Sequence, residues 1–275
     1  MQAFADFARA HGLLINDLLA DGRVHRCATA EHPRAHNGAY RLDGEWGWVQ
    51  AWDVHMEPVI WRAGGADSAI IPIKRDMEAV RREEAARRQQ AASLAATIVQ
   101  RCENATHPYL ARKGFPDQLG LIDTDGRLVV PMRDVRDYKR INSVQWIDGS
   151  GSKLFLPGGA AKGSVMMVGA GAENWLCEGY ATGLSLRAAL AQLHRPARVV
   201  VCFSAGNLVH VASQLQGRRF VIADNDKSGT GERSATDTGL PWAMPPQVGM
   251  DANDYHQERG VRALADLMRG VLAHG

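Results

Sequence analysis

The chain has 275 residues, with 32 Lys and Arg against 30 Asp and Glu, a formal charge of +2 and a pI near 8.4. That length holds two domains with buried cores, and so small a charge excludes a globally basic coat for nucleic acid, leaving any such contact to a local patch. Cys27, Cys102, Cys177 and Cys202 are scattered with no Cys-x-x-Cys pair, which points to neither a zinc ribbon nor a disulfide framework.

Residues 1–20 mix Asp6, Arg9, His11 and Asp17 among apolar positions, as an amphipathic helix does and a secretory leader does not. No stretch is long and apolar enough to span a membrane, so a cytoplasmic protein without a membrane partner is expected. Runs at 23–29, 38–42, 46–54 and 59–62, with turns at Asp21-Gly22, Asn37-Gly38 and Asp43-Gly44, predict a small antiparallel β module within residues 1–70. His25, His32 and His36 surround Cys27, but the segment reads as loop, and no zinc is expected. Trp46, Trp48 and Trp52 share one parity and therefore one strand face. Exposed, they form a stacking platform for single-stranded DNA with Arg23, Arg26 and Arg41 on the phosphates; buried, they form the core. The module's small size favours burial, and Trp48 is expected in the core.

Residues 71–104 read as a helical connector. From Lys74 onward the stretch lacks Pro and Gly, and Lys74, Arg75, Arg81, Arg82, Arg87 and Arg88 alternate with Asp76, Glu78, Glu83 and Glu84. Opposite charges four apart suit one long solvated helix; an arm along a template backbone is the alternative. In residues 105–168, runs at 126–134, 142–148 and 153–159 predict successive strands with polar turns. There Arg133 reads either as a surface partner of Asp134 or as a phosphate contact, and Lys139-Arg140 as a hairpin tip.

Residues 169–275 follow βαβ grammar. Short apolar runs at 175–177, 198–203 and 219–223 are each followed by a helical pattern. Glu178 ends the first run; Asp224 and Asp226 follow the last. In an open α/β sheet ligands gather at the carboxyl ends of strands, and Mg²⁺ takes carboxylate oxygens, water and substrate phosphate. Residues two apart on a strand point the same way, so Asp224 and Asp226 are expected to reach one ion. Singly these acids are ordinary turn formers and caps; the ordered set points to a metal site.

Cys177-Glu178-Gly179-Tyr180 and the run Ala223-Asp224-Asn225-Asp226-Lys227-Ser228-Gly229 resemble the TOPRIM domain, the catalytic fold shared by bacterial primases, topoisomerases and some nucleases. The segment from Gly249 to Tyr255 resembles the late acidic motif of phage and plasmid primases, with Met250 where that family often has lysine; the likeness adds Asp251 and Asp254 to the metal ligands. The block from Gly126 to Gly159 is similar to the segment preceding TOPRIM in bacterial replicative primases. That implies nucleotide or template contacts from Arg133 and Lys153; Lys139, Arg140, Asn207 and Lys227 are further candidates for nucleotide or template binding. The run from His107 to Gly114 resembles the opening sequence of primase-like proteins of phages, plasmids and integrative elements.

The resemblance spans about residues 100–260. It implies an α/β chain whose TOPRIM catalytic domain (169–275, Rossmann-like, mostly parallel sheet) follows a small mixed α+β subdomain (105–168), the long helix and the β module. The implied activity is Mg²⁺- or Mn²⁺-dependent synthesis of short RNA primers from ribonucleoside triphosphates on single-stranded DNA, with Glu178, Asp224 and Asp226 catalytic. No Gly-x-x-x-x-Gly-Lys-Ser/Thr loop is present, so a replicative helicase is expected in trans. A TOPRIM nuclease and a catalytically idle nucleic-acid-binding protein are the alternatives.

Overall fold

A computed structural model describes residues 1–52, 54, 58–64 and 77–273, in two compact units, Met1–Lys74 and Arg75–Gly275. Lys74, Arg75 and Asp76 of the expected connector lie outside the described residues, as does the side chain of Glu78. No described helix is long and apolar enough to cross a membrane.

The first unit opens with α1 (Gln2–Ala10), whose Phe4 and Ala8, four apart, share the buried face. Five antiparallel strands follow in sequential order: β1 (Leu13–Leu14), β2 (His25–Thr29), β3 (Gly38–Asp43), β4 (Trp46–Ala51) and β5 (Val59–Arg62). Phe4, Leu13, Tyr40, Leu42, Val49 and Ala51 form its core. Gly47 is needed for this packing, because a Cβ there would sit 2.6 Å from both the Arg41 carbonyl and the Phe4 ring. The expectation that Trp48 belongs to this core is overturned. Val49 and Ala51 point inward along β4, so the alternation turns Trp46 and Trp48 to the other face, where both stay partly exposed. Phe4, Tyr40 and Leu42 fill the interior that the tryptophans were expected to fill.

The second unit begins with α2 (Met77–Arg101) and continues through β6 (Glu103–Ala105), α3 (Pro108–Arg112), β7 (Gly120–Ile122), β8 (Leu128–Asp134), β9 (Ile141–Ile147), β10 (Lys153–Phe155) and β11 (Ser164–Val168). Next come β12 (Glu173–Cys177), α4 (Tyr180–Gln192), β13 (Ala197–Val201), α5 (Ala205–Ala212), β14 (Arg219–Ile222), α6 (Thr230–Asp237), β15 (Trp242–Ala243) and α7 (Ala252–Ala273). The ten strands form one sheet in the order β10-β9-β8-β11-β13-β12-β14-β15, with β7 also on β8 and β6 on β7. Only β13, β12, β14 and β15 run parallel, and the rest pair antiparallel, so the sheet as a whole is mixed. The boundary expected near residue 168 falls at β11, which pairs with both β8 and β13 and makes the two regions one sheet.

Helices cover both faces of the parallel strands, which explains their near-continuous apolar runs. Trp175, Cys177, Val199, Val201, Phe220 and Ile222 pack on one side with α4 and α7, and Leu176, Val200 and Val221 on the other with α5 and α6. Trp175 stacks on Phe220 with ring centroids 4.6 Å apart. The helix α2 differs from the solvated connector expected. Residues 81–90 are exposed, but Ala91 and Ala95, four apart, bury against Val129, Val144 and Leu156 of the sheet side.

Candidate acidic site and adjoining cationic cleft

Because β12, β13 and β14 are parallel, their carboxyl ends meet at one edge of the sheet. The Cys202 and Phe203 amides donate to the Cys177 and Glu178 carbonyls, both at 2.8 Å, and so extend the pairing past the strand ends. Phe203 then takes a left-handed φ of 69°, a costly conformation for a bulky residue, and the chain turns into α5, where the Ser204 hydroxyl caps the Asn207 amide at 3.3 Å. The Ala205 N–H in the first turn of α5 donates to the Glu178 carboxylate; burial, reinforced by the charge of Asp226, nevertheless pushes the Glu178 carboxyl above its ordinary range.

Asp224 is the electrostatic centre of the site. Its Oδ1 is buried without a hydrogen-bond partner. Burial first, then the negative charges of Glu178 and Asp251, push its carboxyl up to about 7, with Asp226 adding to the effect and Lys153 opposing it. Asp224 and Asp226 lie beyond the end of β14, so strand alternation does not set their directions. Between them Asn225 bridges to Met250, its amide donating to the Met250 carbonyl at 3.0 Å, and its side chain donates to the Pro245 carbonyl at 2.8 Å. This bridge brings Asp251 to the site.

Asp226 is held by the backbone of the following turn. Its carboxylate accepts from the Ser228 amide at 2.8 Å, the Ser228 hydroxyl, the Thr230 amide at 3.3 Å and the Gly231 amide at 2.7 Å. The Ser228 hydroxyl bond and these amides hold its carboxyl well below the usual carboxylate range. Gly231 is required for the close approach, since a Cβ there would collide with the Asp224 carbonyl oxygen. Asp251 starts α7 in a reciprocal cap. Its Oδ1 accepts the Asp254 amide at 2.8 Å while Asp254 Oδ2 accepts the Asp251 amide at 3.4 Å. The other Asp254 oxygen faces Lys113 Nζ at 3.2 Å, which directs Asp254 towards α3 instead of Asp224. Among the described residues, no group of three or more His, Cys, Asp and Glu side chains closes into a ready metal shell.

Beside the acids lies a cleft of about 380 Å³ lined by Tyr109, Arg112, Lys113, Lys153, Thr182 and Asp251. Lys153 stands on the exposed strand β10. Tyr109 is only 4% exposed and its hydroxyl has no partner; burial, with the charge of Asp251, pushes that hydroxyl up to about 12. Arg112, Lys113 and Lys153 outnumber the two carboxylates near them, Asp251 in the lining and Asp254 on Lys113, which suits the cleft to a phosphate-bearing anion.

The other residues expected to contact nucleotide do not line this cleft. Arg133 Nη1 donates to the Tyr138 and Lys139 carbonyls at 3.2 and 3.3 Å, and its guanidinium covers the Tyr138 ring at 5.4 Å, so it braces the β8–β9 hairpin. It does not pair with Asp134, whose carboxylate accepts the Arg136 and Asp137 amides and the Asn142 side chain. Lys139 and Arg140 are exposed on that hairpin and Lys227 on the turn after Asp226. Asn207 is a structural pin. Both its amide hydrogens are used, on the Ser164 carbonyl at 2.9 Å and the Cys202 carbonyl at 2.7 Å, and its oxygen accepts the Gly163 amide at 2.7 Å. Sequence reasoning assigned no role to Tyr109, Arg112, Lys113 or Gly231. Tyr109 and Arg112 are three apart on α3, a spacing that puts both on one face; nothing in the sequence marks Gly231.

No protein-family model matches the chain. Among solved structures it is similar to the primase fragment of the bacteriophage T7 primase-helicase protein, at 17% identity and a TM-score of 0.40 over 58% of this chain and 68% of that one. It is also similar to a complex of the bacteriophage T7 lagging-strand DNA polymerase with primase domains of two gp4 subunits bound to an RNA/DNA hybrid and dTTP, at 15% identity and 0.42 over 60% of this chain and 91% of that one. The DnaG catalytic core is similar at 15% identity and 0.37, over 54% and 52%. Likenesses of this degree leave the function to be read from the chemistry of the site.

Proposed function

We propose that the chain is a metal-dependent DNA primase of the TOPRIM type, serving the replication of a phage, plasmid or other mobile element. The observation that carries this reading is the buried, partnerless Oδ1 of Asp224, surrounded by the charges of Glu178, Asp226 and Asp251 and sharing Asp251 and Lys153 with a cationic cleft. An all-oxygen set of this kind fits Mg²⁺ or Mn²⁺, and a buried carboxylate among like charges is costly until a cation joins it. When bound, such an ion offsets triphosphate charge and stabilises the attacking and leaving oxygens of an in-line displacement.

The chain's own groups divide the remaining work. Arg112, Lys113 and Lys153 hold the phosphates of a ribonucleoside triphosphate in the cleft. Glu178, whose raised proton affinity suits a general base, takes the proton of the attacking 3′-hydroxyl. A bond forms from that oxygen to the α-phosphorus as the bond to pyrophosphate breaks. Asp226, fixed by the turn before α6, stays anionic throughout the neutral range. A nuclease would use the same acids on a backbone phosphate; the three-cation cleft beside them favours a triphosphate substrate. Single-stranded DNA is the template, and unwinding falls to a replicative helicase in trans.

The test is to incubate the protein with circular single-stranded DNA, labelled ribonucleotides and Mg²⁺. Template-dependent labelled oligonucleotides are expected. Nicked DNA without incorporation would establish the nuclease instead.

A further inference from the structure

We infer that the outward face of the first unit's sheet is a stacking platform for single-stranded DNA. Pair register places its residues. Arg41 on β3 lies opposite Trp48 on β4, which lies opposite Ile60 on β5; Trp46 lies between Asp43 and Arg62. Arg26 on β2 pairs with Ala39, two residues from Arg41, and so points the same way. Contacts confirm the placement, with the Arg26 guanidinium 4.1 Å from the centroid of Trp52 and that of Arg41 5.3 Å from Trp46. None of these tryptophans belongs to the core, and Trp52 and Ile60 are 43% and 57% exposed.

Both ends of the face are therefore Arg–Trp stacks, with the Trp48 ring and Ile60 between them. Unpaired bases stack on aromatic rings and on guanidinium planes, and the arginines beside those surfaces neutralise phosphate. Charge decides against a second copy of the chain. Among the described residues that register places on this face, Arg26, Arg41 and Arg62 stand against one acid, Asp43, itself paired to Arg41 at 3.0 Å, so a two-fold contact would set like charges together. Duplex DNA hides its base faces. The choice of DNA over RNA rests on the proposed template-copying reaction; the stacking geometry does not depend on it.

The experiment uses the full chain without nucleotide and with EDTA present, and follows the anisotropy of a labelled oligothymidylate against protein concentration. Trp48→Ala is expected to weaken binding roughly 5- to 150-fold with an unchanged melting temperature, and Trp48→Phe to restore most of the affinity. Arg26→Ala with Arg62→Ala should flatten the dependence of log K on log salt by about 1.4. Wild-type affinity in Trp48→Ala overturns the inference. So does a melting temperature lowered in parallel with binding, tighter binding of oligouridylate than oligothymidylate, or a protein dimer that Trp48→Ala abolishes. Asp224→Asn should bind the oligonucleotide normally here, so failure of the catalytic assignment and failure of the platform are read separately.

Discussion

Replacing Asp224 by Asn in metal-free protein should stabilise the second unit at neutral pH and leave it unchanged in acid. The folded carboxyl keeps its proton up to about pH 7, whereas the ordinary value is 3.8. Below about pH 3 the carboxyl is protonated in both the folded and the unfolded chain, and nothing distinguishes wild type from variant. As pH rises from about 3 to about 7 the unfolded chain releases this proton while the folded one retains it, so wild-type stability declines relative to the variant across that window. The rise from 3.8 to about 7 caps the effect at about 4 kcal/mol, and water at the open side of the site reduces the expectation to about 2–3 kcal/mol. At about 2–4 °C per kcal/mol for a unit of this size, the variant should melt roughly 5–10 °C higher at pH 7.5. The assay is scanning calorimetry in EDTA at about pH 3 and pH 7.5, the latter repeated with millimolar Mg²⁺, which should raise the wild type and not the variant. Equal melting temperatures at pH 7.5, or an equal response to Mg²⁺, would refute the reading of Asp224 as a buried carboxylate awaiting a cation.

Lys153→Ala should raise the KM for ribonucleotide several-fold with little change in melting, as a phosphate contact does, whereas Arg133→Ala should leave KM alone and cost about 1 kcal/mol through the β8–β9 hairpin; steady-state kinetics and thermal melts separate them. Asn207→Ala strands the Gly163 amide and the Ser164 and Cys202 carbonyls and should cost about 2–4 kcal/mol by denaturant titration. Gly231→Ala forces the start of α6 away from Asp224, so nucleotide incorporation should fall more than 10-fold, the equivalent of about 1.4 kcal/mol, while the far-ultraviolet spectrum stays native.

The parallel half of the sheet is legible in the sequence because strands buried on both faces must be continuously apolar, and the runs ending at Cys177, Val201 and Ile222 are. The acidic edge follows from that topology, since parallel strands bring Glu178 and Asp224 together whatever the intervening chain does. The direction of Asp226 is not legible. It depends on the turn closed by the Ser228 and Gly231 amides after the strand has ended, where period-two reasoning has no force. Asn207 misleads for a related reason. An amide in the first turn of a helix beside the strand ends looks the same in sequence whether it faces a ligand or three backbone groups. Trp48 shows the limit of arguments from size, because parity puts Trp46, Trp48 and Trp52 on one face but cannot say which face α1 covers; Phe4 and Gly47 decide that together. The continuity of one sheet through β11 is hidden as well, since it rests on two long-range pairings of a five-residue strand.

The most direct measurement of the central claim is incorporation of labelled ribonucleotide on circular single-stranded DNA at saturating Mg²⁺, wild type beside Asp224→Asn. Template-dependent oligonucleotides are expected from the wild type and a loss of at least about 1,000-fold in the variant, about 4 kcal/mol of transition-state stabilisation, with both proteins folded. Equal synthesis by the two, or none by a wild type that binds Mg²⁺ and single-stranded DNA, would contradict it.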